Sequence, residues 1–182
     1  MEFIALPVAG AMLVRPERRG DERGFFARTF CVDEFAAVGL PVEFPQQSLA
    51  RSLRAGTLRG MHLQLDPHAE AKYVRCTRGR IFDAIFDLRP ESPTYRQGTA
   101  VTLDADGGDA LFVPAGYAHG YQTLVDGTDV IYAMSSRYAP VAARSIKYDD
   151  PLMAIAWPLG DPIVSQADRD APGLERFLRE RG

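Results

Sequence analysis

Residues 71–88 read AKYVRCTRGRIFDAIFDL. Two runs rich in β-branched and aromatic residues, 71–78 and 80–87, meet at Gly79. Glycine tolerates the positive φ of a tight turn, so the stretch predicts a β-hairpin. In the first run Lys72, Val74 and Cys76 face opposite to Tyr73, Arg75 and Thr77, because strand side chains alternate with period two. A lysine between Ala71 and Tyr73 is costly to bury without a partner. It is either an edge-strand charge facing solvent or a cation kept for chemistry.

Outward from this hairpin the pattern repeats. Further strands are expected over residues 12–15, 25–31, 46–54, 58–64, 95–103, 110–113, 120–123, 129–135 and 145–148. Only residues 32–38, with Asp33 at the start and Gly39 at the end, and 173–181 read as helices. Eleven short strands with short flanking helices predict an all-β sandwich or barrel. The 182 residues carry 13 prolines and 16 glycines, spread without repeat or linker, so one domain over 1–182 is expected. Apolar residues make up 46% and charged residues 25%, an ordinary globular composition.

The balance of 21 Lys and Arg against 24 Asp and Glu leaves a net charge of −3. Such a chain lacks the broad cationic surface that nucleic acid requires. No apolar run reaches the roughly 18 residues of a membrane span, and the N-terminus, broken by Pro7 and Gly10, is not a signal peptide. Cys31 and Cys76 are isolated, which fits two reduced thiols rather than a disulfide or zinc framework. A cytoplasmic protein with no nucleic-acid or membrane partner is expected.

Residues 108–119, GDALFVPAGYAH, read G-x5-P-x-G-x2-H. This resembles the second motif of the cupin superfamily, a double-sheet jelly roll in which a proline–glycine turn delivers a histidine to the interior. The first motif would then be residues 60–79, with His62, His68 and Glu70. The H-x-H pair of metal cupins is broken here, since His62-Leu63-Gln64 supplies one imidazole. His68 follows Asp66-Pro67 and is expected to face solvent. His62, Glu70 and His119 could still form a two-histidine, one-carboxylate iron site; no metal is the expectation.

Seven colinear stretches extend the resemblance: DERGFFARTF (21–30), GTLRGMHLQ (56–64), the run from 71 to 95, VPAGYAHGYQTL (113–124), VIYAMSSRYAP (130–140), DDPLMAIAWP (149–158) and SQADRDAP (165–172). Together they are similar to the nucleotide-sugar 3,5-epimerases. That resemblance implies a metal-free cupin-type jelly roll, usually a homodimer. Its substrate would be a 4-keto-6-deoxy sugar on a nucleoside diphosphate, with no cofactor.

Inverting a carbon beside a ketone removes its proton and returns one to the other face, through an enolate. The site needs a base near neutral pH, an acid opposite it, and cationic or hydrogen-bonding groups at the oxygen. His62 is the base candidate. By resemblance Asp168 is its partner, fixing the tautomer and stabilising the imidazolium, with Asp170 the local competitor. Tyr132 is the acid candidate; otherwise it is a core aromatic. Lys72 would stabilise the enolate. Arg59 suits a diphosphate, and His119 would orient the sugar. Tyr138 is a second, weaker phenol at the rim. The resemblance carries Arg23 and Phe26 to the nucleotide across a dimer interface, and Gln47 to nucleotide recognition.

Three positions bear on that recognition. Family members often have glutamate where Arg28 stands, the usual Q-x-N-x-S run reads Gln46-Gln47-Ser48-Leu49-Ala50, and the usual Gln or Glu before A-K is Glu70. The proton-transfer set is intact while nucleotide recognition is altered, which leaves a CDP- or GDP-linked sugar, or inversion at one carbon, open. Competing readings are a ketoisomerase on the same jelly roll, an iron oxygenase and a non-catalytic sugar-binding cupin.

Overall fold

The computed structural model describes residues 1–181; the expected boundary at 182 lies just outside them. Thirteen strands form two main antiparallel sheets and a separate hairpin. The first sheet orders β1 (Glu2–Ala5), β2 (Met12–Arg15), β10 (Ala110–Val113), β7 (Lys72–Arg78), β12 (Thr128–Met134) and β5 (Gln46–Ser52). The second orders β13 (Ala143–Ser145), β6 (Leu58–Gln64), β11 (Tyr117–Thr123), β8 (Arg80–Asp87) and β9 (Gly98–Asp104). The hairpin pairs β3 (Arg18–Asp21) with β4 (Gly24–Ala27). The architecture is the all-β, cupin-type jelly roll.

The alternation in residues 72–77 explains why the sheets stack. Val74 and Cys76 point inward and join Ile81, Ile85, Leu103, Leu111, Tyr121 and Val130 in a core drawn from both sheets. Tyr73, on the other face of β7, packs with Phe35 of α1 (Val32–Ala37) in a second cluster outside the first sheet. A third cluster covers the outer face of the second sheet: Met61, Leu63 and Phe86 meet Leu174 and Phe177 of α3 (Leu174–Glu180). Burying such large side chains stabilises by about 1.5–3 kcal/mol each.

The structure corrects several expectations. Residues 2–5 and 18–21 form strands not expected from the sequence. With β1 outside it, β2 is an interior strand of the first sheet. The strand expected over 25–31 ends at Ala27. That expected over 95–103 starts at Gly98, because the preceding residues form turns around Asp87. The strand expected at 145–148 lies at 143–145. A four-residue helix, α2 (Gln166–Arg169), appears where none was expected. Helix α1 starts after Cys31 with no side-chain cap, so Asp33 lies in its first turn instead of capping it. His68 is half-buried, not solvent-facing. Both cysteines are free, Cys76 buried and Cys31 half-buried. Among the described residues no helix is long and apolar enough to cross a membrane.

Candidate active site

A cavity of about 880 Å³ opens between the sheets at one end. Strands β6 and β11 carry its histidines, with His62 paired opposite His119. The pairing slips between His119 and Tyr121, where two glycine backbones cross. A Cβ on Gly60, whose φ is +148°, would lie 2.5 Å from the Gly120 Cα. A Cβ on Gly120 would lie 2.9 Å from the Gly60 Cα. The crossing therefore requires glycine on both strands, and it sets the two imidazoles side by side on the cavity wall.

His62 Nε2 lies 2.6 Å from Asp168 Oδ1. Asp168 sits in α2, whose N-cap is Ser165: the Ser165 hydroxyl accepts from the Asp168 backbone N–H at 3.1 Å. Burial would raise the Asp168 carboxyl, but the hydrogen bond and charge of His62 outweigh it, and the carboxyl lies below its ordinary value. Asp170 is turned away and bonded by Gln166. With Nε2 committed to the carboxylate, Nδ1 is the nitrogen left to exchange a proton.

Lys72 is 7% exposed on a strand flanked by β10 and β12, so it is not an edge charge. Its ammonium donates to the His62 carbonyl at 3.1 Å and lies 3.5 Å from Glu70 Oε1. Burial lowers its pKa, and the charges of Glu70 and Asp83 partly oppose that. Tyr132 and Ser48, paired across β12 and β5, both face the cavity. Arg59, His119 and Tyr138 also line it. Arg59 is exposed and donates to the Arg51 carbonyl at 3.3 Å. Tyr138 is 62% exposed.

Three expected substrate contacts lie elsewhere in this chain. Arg23 sits on the β3–β4 hairpin, paired with Asp21. Phe26, on the same hairpin, is 72% exposed. Gln47 points outward because the pleat of β5 turns its neighbours Gln46 and Ser48 inward. None of the three lines the cavity. His62, Glu70 and His119 do not converge as metal ligands: His62 is held by Asp168, Glu70 by Gln64, and His119 by Asp83 at 2.6 Å. No group of three His, Cys, Asp or Glu suited to a metal occurs among the described residues.

Other residues in or behind the cavity wall escaped the sequence reading. Tyr121 is buried with its hydroxyl unpartnered, and burial raises its pKa. Asp83, fully buried behind His119, uses one oxygen and leaves the other unpartnered. The signal for Tyr121 was the period of two, since it follows His119 by two on β11; Asp83 lies on the adjacent β8, and only the strand pairing brings it to the site. Gln46, Ser48 and Gln64 were legible only as neighbours of named residues.

Antiparallel sheets around a cavity that pairs an imidazole with a carboxylate, and adds a phenol and a buried ammonium, are the frame of a jelly-roll isomerase. The comparisons agree. The family model for dTDP-4-dehydrorhamnose 3,5-epimerase matches residues 5–176. A dTDP-4-dehydrorhamnose 3,5-epimerase from Sinorhizobium fredii is 39% identical over 175 residues, covering 96% of this chain and 90% of its own. A dTDP-4-dehydrorhamnose 3-epimerase from Streptomyces niveus is 38% identical over 172 residues, covering 94% and 83%. The crystal structure of an epimerase from Legionella pneumophila, in complex with dTDP-4-keto-L-rhamnose, superposes with a TM-score of 0.92 at 33% identity, covering 99% of this chain and 96% of that one. The chain belongs to the dTDP-4-dehydrorhamnose 3,5-epimerase family.

Proposed function

We propose that the protein inverts C3, C5 or both in a dTDP-linked 4-keto-6-deoxy sugar, by proton transfer through an enolate. The observation that carries this reading is the 2.6 Å contact of His62 with buried Asp168, at the wall of a cavity that also holds Tyr132 and Lys72. His62 Nδ1 takes the proton from the carbon beside the ketone. The electron pair moves onto the ketone oxygen, and the imidazolium is stabilised by the Asp168 carboxylate. Lys72, an ammonium held away from water, offsets the oxyanion charge. Tyr132 returns a proton to the opposite face and is reprotonated by solvent, and the His62 imidazolium releases its proton to solvent, which restores both groups. The ring ketone already acidifies the adjacent carbons, so no redox cofactor or metal enters any step.

Nucleotide contacts belong to the same proposal. Arg59 takes the diphosphate, and His119 and Tyr138 position the sugar. Arg23, Phe26 and Gln47 lie outside this chain's cavity, which favours a homodimer whose second copy supplies Arg23 and Phe26 to the nucleotide. The Legionella relative's complex with a dTDP-ketosugar supports dTDP. The name of the Streptomyces niveus relative keeps inversion at C3 alone as a second outcome.

The test is NMR of dTDP-4-keto-6-deoxyglucose incubated with the protein in deuterium oxide. Deuterium is expected at C3, C5 or both, with inverted product. His62→Ala should slow exchange by about 10²–10⁴-fold. Absence of exchange with the wild-type protein contradicts the proposal.

A further inference from the structure

Gln64 stands where metal cupins place the second histidine of the H-x-H pair, and the roles assigned above leave it unused. It lies two residues beyond His62 on β6 and is 3% exposed. Its amide nitrogen faces three oxygens: Glu70 Oε2 at 2.9 Å, the His68 carbonyl at 3.1 Å and the Arg137 carbonyl at 3.2 Å. Its amide oxygen accepts from the Ala139 backbone N–H at 2.6 Å. Between Arg137 and Ala139 stands Tyr138, whose own N–H donates to Gln46 Oε1 at 2.9 Å. One glutamine from each sheet thus fixes the two consecutive peptides that flank Tyr138 at the cavity mouth. On the other side, the carboxylate that Gln64 binds through Oε2 reaches toward Lys72 with Oε1.

We propose that Gln64 is a positioning residue that couples the placement of Tyr138 at the mouth to the setting of Glu70 and Lys72 within the cavity. The inference rests on the epimerase reading. An amide suits the post because its two N–H hydrogens are shared among the carboxylate and carbonyls while its oxygen accepts from a backbone N–H. A buried network of this kind is stiff only when each member is satisfied. Displacing the mouth peptides should release Glu70 to rotate, and the Lys72 ammonium with it. Substrate engagement at the rim and charge stabilisation inside would then change together.

The experiment is steady-state kinetics on the full chain. Gln64→Met keeps the side-chain length and removes all four contacts. It should raise KM and lower kcat, each by about fivefold or more, while a far-ultraviolet spectrum reports an intact fold. KM and kcat both within about twofold of wild type would overturn the proposal. Because Gln64→Met leaves buried backbone groups unpaired, a second arm avoids residue 64 altogether. Glu70→Gln, Tyr138→Ala and the double variant form a cycle. Non-additivity of about threefold or more in kcat/KM is expected, since Gln64 bonds both the Glu70 carboxylate and the peptides that flank Tyr138. Additivity within about 1.5-fold overturns the coupling. An inactive wild-type protein overturns the epimerase reading and this inference with it; active wild type with an additive cycle overturns the inference alone.

Discussion

At the scale of single residues, His62 and Asp168 form a unit. Asp168→Asn keeps the shape but removes the charge that stabilises an imidazolium, and an amide can hold the ring in the wrong tautomer. We expect turnover to fall by about a hundredfold or more, measured as the rate of deuterium uptake. Asp87 poses a different residue-level question. Its side chain is fully buried, and it accepts from Arg89, Ser92 and Thr94. Burial alone would raise its pKa, but these hydrogen bonds overcome that and hold it well below the ordinary carboxylate value. A carboxyl with a depressed folded-state pKa contributes stability above its unfolded value, about 3.9, and loses it as pH falls toward the folded value. Asp87→Asn should therefore destabilise the protein at pH 7 by roughly 3 kcal/mol. In urea titrations the gap to wild type should narrow below about pH 4. A gap that stays constant down to pH 2 would contradict the assignment.

At the scale of elements, legibility followed the strength of the local pattern. The strands at 80–87 and 110–113 were read to the residue, because apolar runs between glycine or charged turns leave little choice. Strand β3, RRGD, is exposed throughout and has no apolar face to read; pairing with β4 creates it. Helix α2 is too short for any periodicity, yet it places Asp168. The site residues with strong chemistry were legible one at a time. Asp83 was not, because its role depends on which strands lie side by side, and a single strand's alternation does not carry that information; Tyr121 and Gln64, each two residues from a histidine on its own strand, were within reach of that alternation. The crossing of β6 and β11 makes a further prediction. Gly60→Ala must push a Cβ into the Gly120 backbone, so β6 has to shift. A loss of about 2 kcal/mol or more is expected, with turnover falling in parallel, because His62 lies on the displaced strand. Unchanged activity and an unchanged denaturation midpoint would contradict this.

At the scale of the whole molecule, apolar surface remains uncovered. Phe25 is 55% exposed, Phe26 72%, Leu49 64% and Leu53 75%, and the β3–β4 hairpin joins neither main sheet. Phe25 and Phe26 are consecutive on that hairpin. Under the proposed homodimer, sedimentation should give a mass near twice 20.1 kDa. Phe26→Ala should raise KM by about tenfold while changing kcat little, since Phe26 would hold the nucleotide and not the reacting carbon. A monomer with wild-type KM for this variant would remove Arg23 and Phe26 from the site.

In the proposed mechanism two groups act on opposite faces of the sugar, and the most direct measurement separates their steps. Tyr132→Phe keeps the ring and removes the proton. In deuterium oxide, this variant should still exchange the substrate's C3 or C5 hydrogen through His62, while inversion slows by about 10²-fold or more relative to exchange. Inversion at the wild-type rate in Tyr132→Phe, or undiminished exchange in His62→Ala, would contradict it.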